Sequence, residues 1–226
     1  MIRFFLISFF LITISFSANS HVEHYKDLNK LEFDLYRNNK LIGTHIFDFI
    51  RIEDQLIVNS KITFQIKKLG MVLYRYEAEG KEIYNKDGNL INFESRTNQN
   101  KKEKYVNIEL KNDHFLINGS SYKGKAPLDF VIGTWWNHSI IKAKAQISAV
   151  SGRIIKQNVN FLGKETIEIN GKKIKTLHFN FSSSDPKLSK DKKLNTNIWY
   201  DEETLNWVKA SFNKKGLWEY RLRLSK

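Results

Sequence analysis

The sequence predicts an all-β protein: a single antiparallel meander of about 10–12 strands curled into a barrel or half-barrel, with one short helix or irregular plug. Three observations carry this. Apolar and polar residues alternate with a period of two along most of the chain, turn-forming residues recur between the alternating runs, and helical periodicity is nearly absent.

Leu31, Phe33 and Leu35 alternate with Glu32, Asp34 and Tyr36. Asn38-Asn39 then supplies the positive-φ residues of a tight hairpin before the return run Leu41 to Ile50. The next strand places Leu56, Val58, Ser60, Ile62, Phe64 and Ile66 on one face and Asn59, Lys61, Thr63, Gln65 and Lys67 on the other, which predicts one core face and one wet face. Gly70 precedes the run Leu73 to Tyr84, and Lys86-Asp87-Gly88-Asn89 turns it into Leu90 to Thr97. Tyr105 to Leu110 is expected to pair with Phe115 to Ile117 across Asn112-Asp113, and Asn118 to Ser121 ends this half of the meander.

From Pro127 to Ile141 the period is lost, although Phe130, Val131, Ile132, Trp135 and Trp136 keep the segment apolar. A compact plug packed on the sheet is expected there. Alternation resumes from Ile155 to Ile169, turns at Asn170-Gly171 and returns through Leu177, Phe179 and Phe181. A mobile polar loop, Ser182 to Asn195, is expected before the closing strands Thr196 to Tyr200, Trp207 to Phe212 and Trp218 to Leu224.

The first twenty residues read as a secretory signal. Arg3 gives a positive start, Phe4 to Phe16 is an apolar run, and no acidic residue precedes Glu23. A thirteen-residue helix spans roughly 20 Å, short of the ~30 Å hydrocarbon core, so no stable membrane span is expected after processing. Small residues in Ala18-Asn19-Ser20 predict cleavage after Ser20. The expected organisation is therefore a signal peptide over residues 1–20 and one β-domain over 21–226, exported to the periplasm. With no cysteine in the chain, such a domain has to be held by packing alone.

The 37 Lys and Arg residues against 24 Asp and Glu give a net charge of +13. Of the basic residues 29 are Lys, they are spread along the whole chain, and Asn reaches 22, a pattern that A/T-rich codon usage produces without any anionic partner. The densest runs, Lys101 to Lys104 and Lys187 to Lys193, contain no aromatic residues, so nucleic-acid binding is not expected.

Leu41-Ile42-Gly43-Thr44-His45-Ile46-Phe47, Tyr74-Arg75-Tyr76-Glu77 with Glu82-Ile83-Tyr84, Trp135-Trp136-Asn137, and Trp199-Tyr200-Asp201 followed by Trp207 together resemble, in order and spacing, a bacterial family of exported proteins known as domain of unknown function 6134. The resemblance implies a Gram-negative periplasmic protein with a curved antiparallel sheet, similar in outline to lipoprotein-carrier-like folds that hold acyl chains in a concave apolar cavity. It implies no catalytic residues.

Aromatic residues make up 13% of the chain, and all five tryptophans lie in its second half. A curved sheet lined by such rings could bind a lipid-like ligand, with Tyr74, Tyr76, Trp135, Trp136 and Trp199 lining or gating it and Arg75 anchoring an anionic head group; ordinary core packing explains the same rings. His45 shares a face with Gly43 and Phe47, where the approach of Glu77 or Glu82 would make it a general base; a core histidine is the commoner outcome. A freed N-terminal His21 would offer amine and imidazole to one copper ion, with His24, His45, His138 or His178 as the third ligand. An enzyme or copper site is thus the alternative to a binding protein. No nucleophile elbow, phosphate loop or zinc-protease motif is present, so no cofactor is expected, and nothing in the sequence identifies a protein partner.

Overall fold

The computed structural model describes residues 25–189 and 192–224. The signal segment with its cleavage point, and the copper candidates His21 and His24, lie outside the described residues. So do Lys190 and Asp191 of the loop expected to be mobile.

Fifteen strands form one sheet: β1 (Lys30–Arg37), β2 (Lys40–Ile52), β3 (Gln55–Lys68), β4 (Met71–Asn85), β5 (Leu90–Gln99), β6 (Lys102–Leu110), β7 (Phe115–Gly119), β8 (Lys123–Ala126), β9 (Val131–Ile132), β10 (Ala145–Ile147), β11 (Ile154–Ile169), β12 (Lys172–Ser183), β13 (Asn195–Asp201), β14 (Trp207–Asn213) and β15 (Leu217–Leu222). Each strand pairs with its neighbours in sequence save β8 with β9, and β15 pairs back onto β1, with Phe33 opposite Leu222 and Leu35 opposite Tyr220. The meander is thereby bent into a ring with a single seam, between β8 and β9. All pairs are antiparallel except β9 with β10. The count exceeds the predicted 10–12 chiefly because β8, β9 and β10 have only 4, 2 and 3 residues, too few to show an alternation.

Near the seam the two halves meet backbone to backbone. The amide of Ser121 donates to the Ser151 carbonyl at 2.9 Å. A Cβ on Gly119 would lie 2.6 Å from that same carbonyl oxygen and 3.0 Å from the Cα of Gly152, so only glycine permits this approach. The hairpin turns form where Asn was expected to turn the chain: Asn38 and Asn39 have φ of 49° and 61°, and Asn170 and Gly171 have φ of 51° and 80°.

Antiparallel alternation puts the turns at 38–39, 69–70, 100–101 and 214–216 at one end of the ring and those at 53–54, 86–89, 170–171 and 202–206 at the other. The interior differs sharply between these ends. Along β3, Leu56 and Val58 are buried while Ser60, Ile62, Phe64 and Ile66 are half-buried; along β4, Glu82 and Tyr84 are buried while Tyr74, Tyr76 and Ala78 are half-buried. One end of the concave face is filled and the other is left open.

The filling comes from the connection between β8 and β10. Trp136 is completely buried, with Tyr25, Phe49 and Tyr84 edge-on around its ring at centroid distances of 5.3, 5.2 and 5.6 Å. Its Nε1 donates to one oxygen of Glu82 at 2.9 Å, and the Tyr84 hydroxyl donates to the other. The irregular backbone here needs side-chain partners, as any buried non-repetitive segment does. Asn137 caps the short 3-10 turn His138–Lys142 by accepting from the Ser139 amide at 3.0 Å, and the Gln157 amide donates to the carbonyls of Ile140 and Ala143, both at 3.0 Å. The His138 amide donates to the Tyr25 hydroxyl at 2.9 Å.

Burial pushes the Glu82 carboxyl above its ordinary pKa, against the opposing hydrogen bonds from Tyr84, Trp136 and Thr134. Because the folded chain holds this proton more tightly than the unfolded one, the contribution is full below about pH 4.5 and is lost as pH rises through the raised folded pKa. Replacing Glu82 with Ala orphans two buried donors and is expected to lower unfolding free energy by on the order of 3 kcal/mol. Glu82→Gln keeps an acceptor for Trp136 and should lose much less while abolishing that pH dependence. Urea unfolding of the three proteins across pH 4–8 measures both effects.

Candidate ligand cavity

Between the open half of β2–β5 and the segments Gly133–Trp135 and Ala149–Val150 lies a cavity of about 210 Å³. Ile62, Ala78, Phe93 and the ring of Tyr220 supply apolar wall, and the polar residues that line it are His45, Ser60, Tyr76, Glu79, Ser95, Thr97, Thr134 and Trp135. No Lys or Arg lines it. Two buried nitrogens there, Nδ1 of His45 and Nε1 of Trp135, have no hydrogen-bond partner.

His45 projects from β2 between Phe33 and Ile62 on the neighbouring strands. Its ring packs on Phe47 at 4.2 Å and lies 5.9 Å from Tyr220. Desolvation among these rings pulls its pKa down to about 3, so the imidazole is neutral at physiological pH. Across the cavity, burial pushes the Tyr76 phenol up to about 12 against opposing hydrogen bonds, the larger from Thr97, and the phenol stays protonated.

Trp135 reaches the cavity because its backbone is left-handed, with φ of 63°. This region is disfavoured for a bulky residue, at a cost of order 1–3 kcal/mol. Its carbonyl is held by the Tyr200 hydroxyl at 2.9 Å, and its ring is wedged against Trp207 and Tyr220 at 5.5 and 5.7 Å. Two consecutive tryptophans are thereby sent to different places, Trp136 into the plug and Trp135 to the cavity wall.

Toward the open end the concave face continues as a stack of half-buried rings. Phe64 stacks on Tyr76 at 4.8 Å and on Tyr74 at 6.0 Å, meets Trp218 edge-on at 5.2 Å, and Trp218 stacks on Phe212 at 5.9 Å. These rings and the cavity make one aromatic-walled surface.

Of the residues singled out in the sequence, the structure brings His45, Tyr76 and Trp135 together at the cavity and sets Tyr74 on the ring stack. Arg75 lies on the outer face of β4, beside Lys67 and Glu77 and away from the two tyrosines that flank it. Trp136 belongs to the filled end. Trp199 lies on the outer face of β13, stacked on His178 at 4.2 Å, covered by Lys209 at 5.0 Å and donating to Glu165 at 2.6 Å. The carboxylate expected near His45 is not there: Glu82 is engaged by Trp136 and Tyr84, and Glu77 is exposed on the outer face. Among the described residues no group of three or more His, Asp or Glu side chains could hold a metal ion. Sequence reading passed over Phe64, Thr97, Thr134, Trp218 and Tyr220. Strand parity marks Phe64, Thr97, Trp218 and Tyr220 as inward-facing, whereas Thr134 lies in the aperiodic plug and left no such signal.

The family's profile matches residues 33–224, nearly the whole described chain. The chain belongs to the family described as domain of unknown function DUF6134. No curated protein matches it by sequence. Among solved structures it is similar to a β-barrel-like protein of domain of unknown function DUF1849 from Brucella abortus, at TM-score 0.57 and 10% identity over 86% of this chain and 94% of that one. A DUF1089 family protein from Pseudomonas aeruginosa aligns at TM-score 0.39 and 10% identity, covering 76% and 90% of the two chains. The first similarity supports the barrel-like fold of this DUF6134 chain and says nothing of its activity.

The neutral state of His45 has a measurable consequence. Between about pH 3 and 6.5 the unfolded chain binds a proton that the folded one refuses, so this contribution is complete above pH 6.5 and lost as pH falls, by at most about 1.4 kcal/mol per pH unit. The difference in unfolding free energy between the wild type and His45→Gln is expected to shift against the wild type from pH 7 to pH 4. A constant difference would place His45 in a solvated setting.

Proposed function

We propose that this protein is a non-enzymatic binding protein of the periplasm, exported by a signal cleaved after Ser20, that holds the apolar part of a lipid-like amphipathic molecule against its concave aromatic face. The observation that carries this reading is the pair of unpaired atoms, His45 Nδ1 and Trp135 Nε1, at the wall of an otherwise largely apolar cavity. A buried polar group left unsatisfied costs about 1–3 kcal/mol, so a partner that fills the void and meets both atoms is worth binding.

The lining also limits the ligand. Trp135 Nε1 only donates, and the neutral imidazole can accept or donate, so an uncharged oxygen such as an ester carbonyl or hydroxyl suits both. An ionised group would find no cation inside the cavity. At about 210 Å³ the cavity holds more than the benzene-sized guest that a void of roughly 150 Å³ accepts, but less than a whole lipid. The remainder of such a ligand would lie along the ring stack of Phe64, Tyr74 and Trp218. The alternation runs opposite to that of a membrane-spanning barrel: apolar residues face inward, and the outer faces of β3–β5 carry Lys61, Glu79, Lys81, Glu94 and Arg96.

Native mass spectrometry of protein purified from bacterial periplasm, without denaturation, tests the proposal. The expected result is a chain beginning at His21 that carries a reproducible small-molecule adduct. Ala78→Phe, which fills the cavity from β4, should lose the adduct while keeping its circular dichroism spectrum. A wild type that is always empty, or an adduct that survives Ala78→Phe, would overturn the assignment.

A further inference from the structure

The β3–β4 hairpin turns on an apolar residue, Leu69, with φ of 50° before Gly70. Positive-φ positions in the other turns are held by Asn38, Asn39, Asn100 and Asn170 or by the charged Glu53, Lys101 and Lys215, with Leu205 the other apolar case. A branched apolar residue in that conformation carries a backbone cost and gains nothing from solvent. Leu69 is nonetheless 89% exposed, and Met71 and Leu73 beside it are 63% and 53% exposed. A bulge between Ile66 and Lys67 twists the end of the hairpin.

Register shows that this end projects. On one side the β2–β3 ladder stops at Gly43 opposite Phe64, and on the other the β4–β5 ladder begins at Tyr76 opposite Gln99. Gln65–Lys68 and the strand returning from Met71 therefore pair only with each other, and on the β5 side they run about 13 Å past the last rung. The tip stands beside the open end of the concave face.

Charge is distributed along the same axis. The exposed turns at this end carry Lys67-Lys68, Lys101-Lys102 and Lys214-Lys215. Those at the filled end carry Glu53-Asp54, Asp87, Asp113 and Glu202-Glu203 alongside Lys86, Lys111 and Lys172-Lys173. Codon bias can raise the number of lysines at both ends, but it does not leave the hairpin turns of one end without the carboxylates that offset them at the other.

We propose that the open end docks on an anionic lipid surface, with Leu69, Met71 and Leu73 inserted among the acyl chains and the paired lysines seated on the head groups. An apolar tip with a lysine collar matches the layered chemistry of a bilayer interface, whose apolar boundary begins within roughly 5–10 Å of the surface. The inference rests on the exposed surface alone and stands whatever occupies the cavity.

Co-sedimentation of the purified full chain with phosphatidylglycerol-containing and with pure phosphatidylcholine vesicles tests it. Binding is expected to the anionic vesicles, at least tenfold stronger than to the neutral ones, and to weaken as salt rises from 0.1 to 0.5 M. Leu69→Asp/Met71→Asp and Lys67→Gln/Lys68→Gln should each weaken that binding at least tenfold, while Ile52→Asp at the opposite end should bind as the wild type does. No binding to anionic vesicles, equal binding by all variants, or a tip that serves only to pair two copies of the chain in light scattering would overturn the docking. Adduct loss in Ala78→Phe with vesicle binding intact would leave it standing.

Discussion

The hydrogen bond from Trp136 to Glu82 fixes where this sheet can be filled. A meander closed through β1 and β15 must put something against its concave face, and the irregular connection between β8 and β10 fills only one end of it. Trp136 brings the largest side chain available, and the buried carboxylate of β4, itself held by Tyr84, pins the indole at a defined depth. The left-handed backbone at Trp135 follows from that anchor, because the residue next to a pinned indole has to turn the other way to leave the filled end.

Everything of functional interest lies beyond that anchor. Past Glu82 the inward positions of β4 shrink to Gly80 and Ala78 before the rings of Tyr76 and Tyr74 begin, and across from Gly80 on β3 and β5 stand Ser60 and Ser95. Small residues on three adjacent strands leave the void, while aromatic residues above and below it keep the walls rigid. The same layout isolates His45: walled by rings, with Glu82 held by Trp136 and Tyr84 and Glu79 paired with Lys61, it is poorly placed as a base and well placed as one neutral hydrogen-bonding point on the cavity wall.

Much of this could be read from the residues in order. Period-two alternation gave the strands, and Asn38-Asn39 and Asn170-Gly171 turned the chain where they stand. Parity also put His45 on the inner face with Gly43, Phe47 and Phe49. Parity failed where a bulge intervened or where no period existed. Trp199 sits between buried Ile198 and Tyr200, so its side chain goes outward, and the register shift between Trp199 and Tyr200 masks the pattern. Trp135 and Trp136 differ in fate because of one backbone torsion, for which sequence offers no cue. The buried state of Glu82 was legible in principle, since it shares parity with Tyr84, but charge outweighs parity when a strand is read alone. Ring closure by β1 and β15 joins residues nearly two hundred positions apart and leaves no local trace.

The central claim is that the void beside His45 and Trp135 is a place for a ligand and not a packing remnant filled by solvent. A high-resolution crystal structure of protein taken from the periplasm without refolding tests this most directly. The account predicts continuous elongated density running from the two unpaired nitrogens toward Phe64 and Trp218. Separate water peaks hydrogen-bonded to His45 and Trp135, with the ring stack collapsed over them, would contradict it.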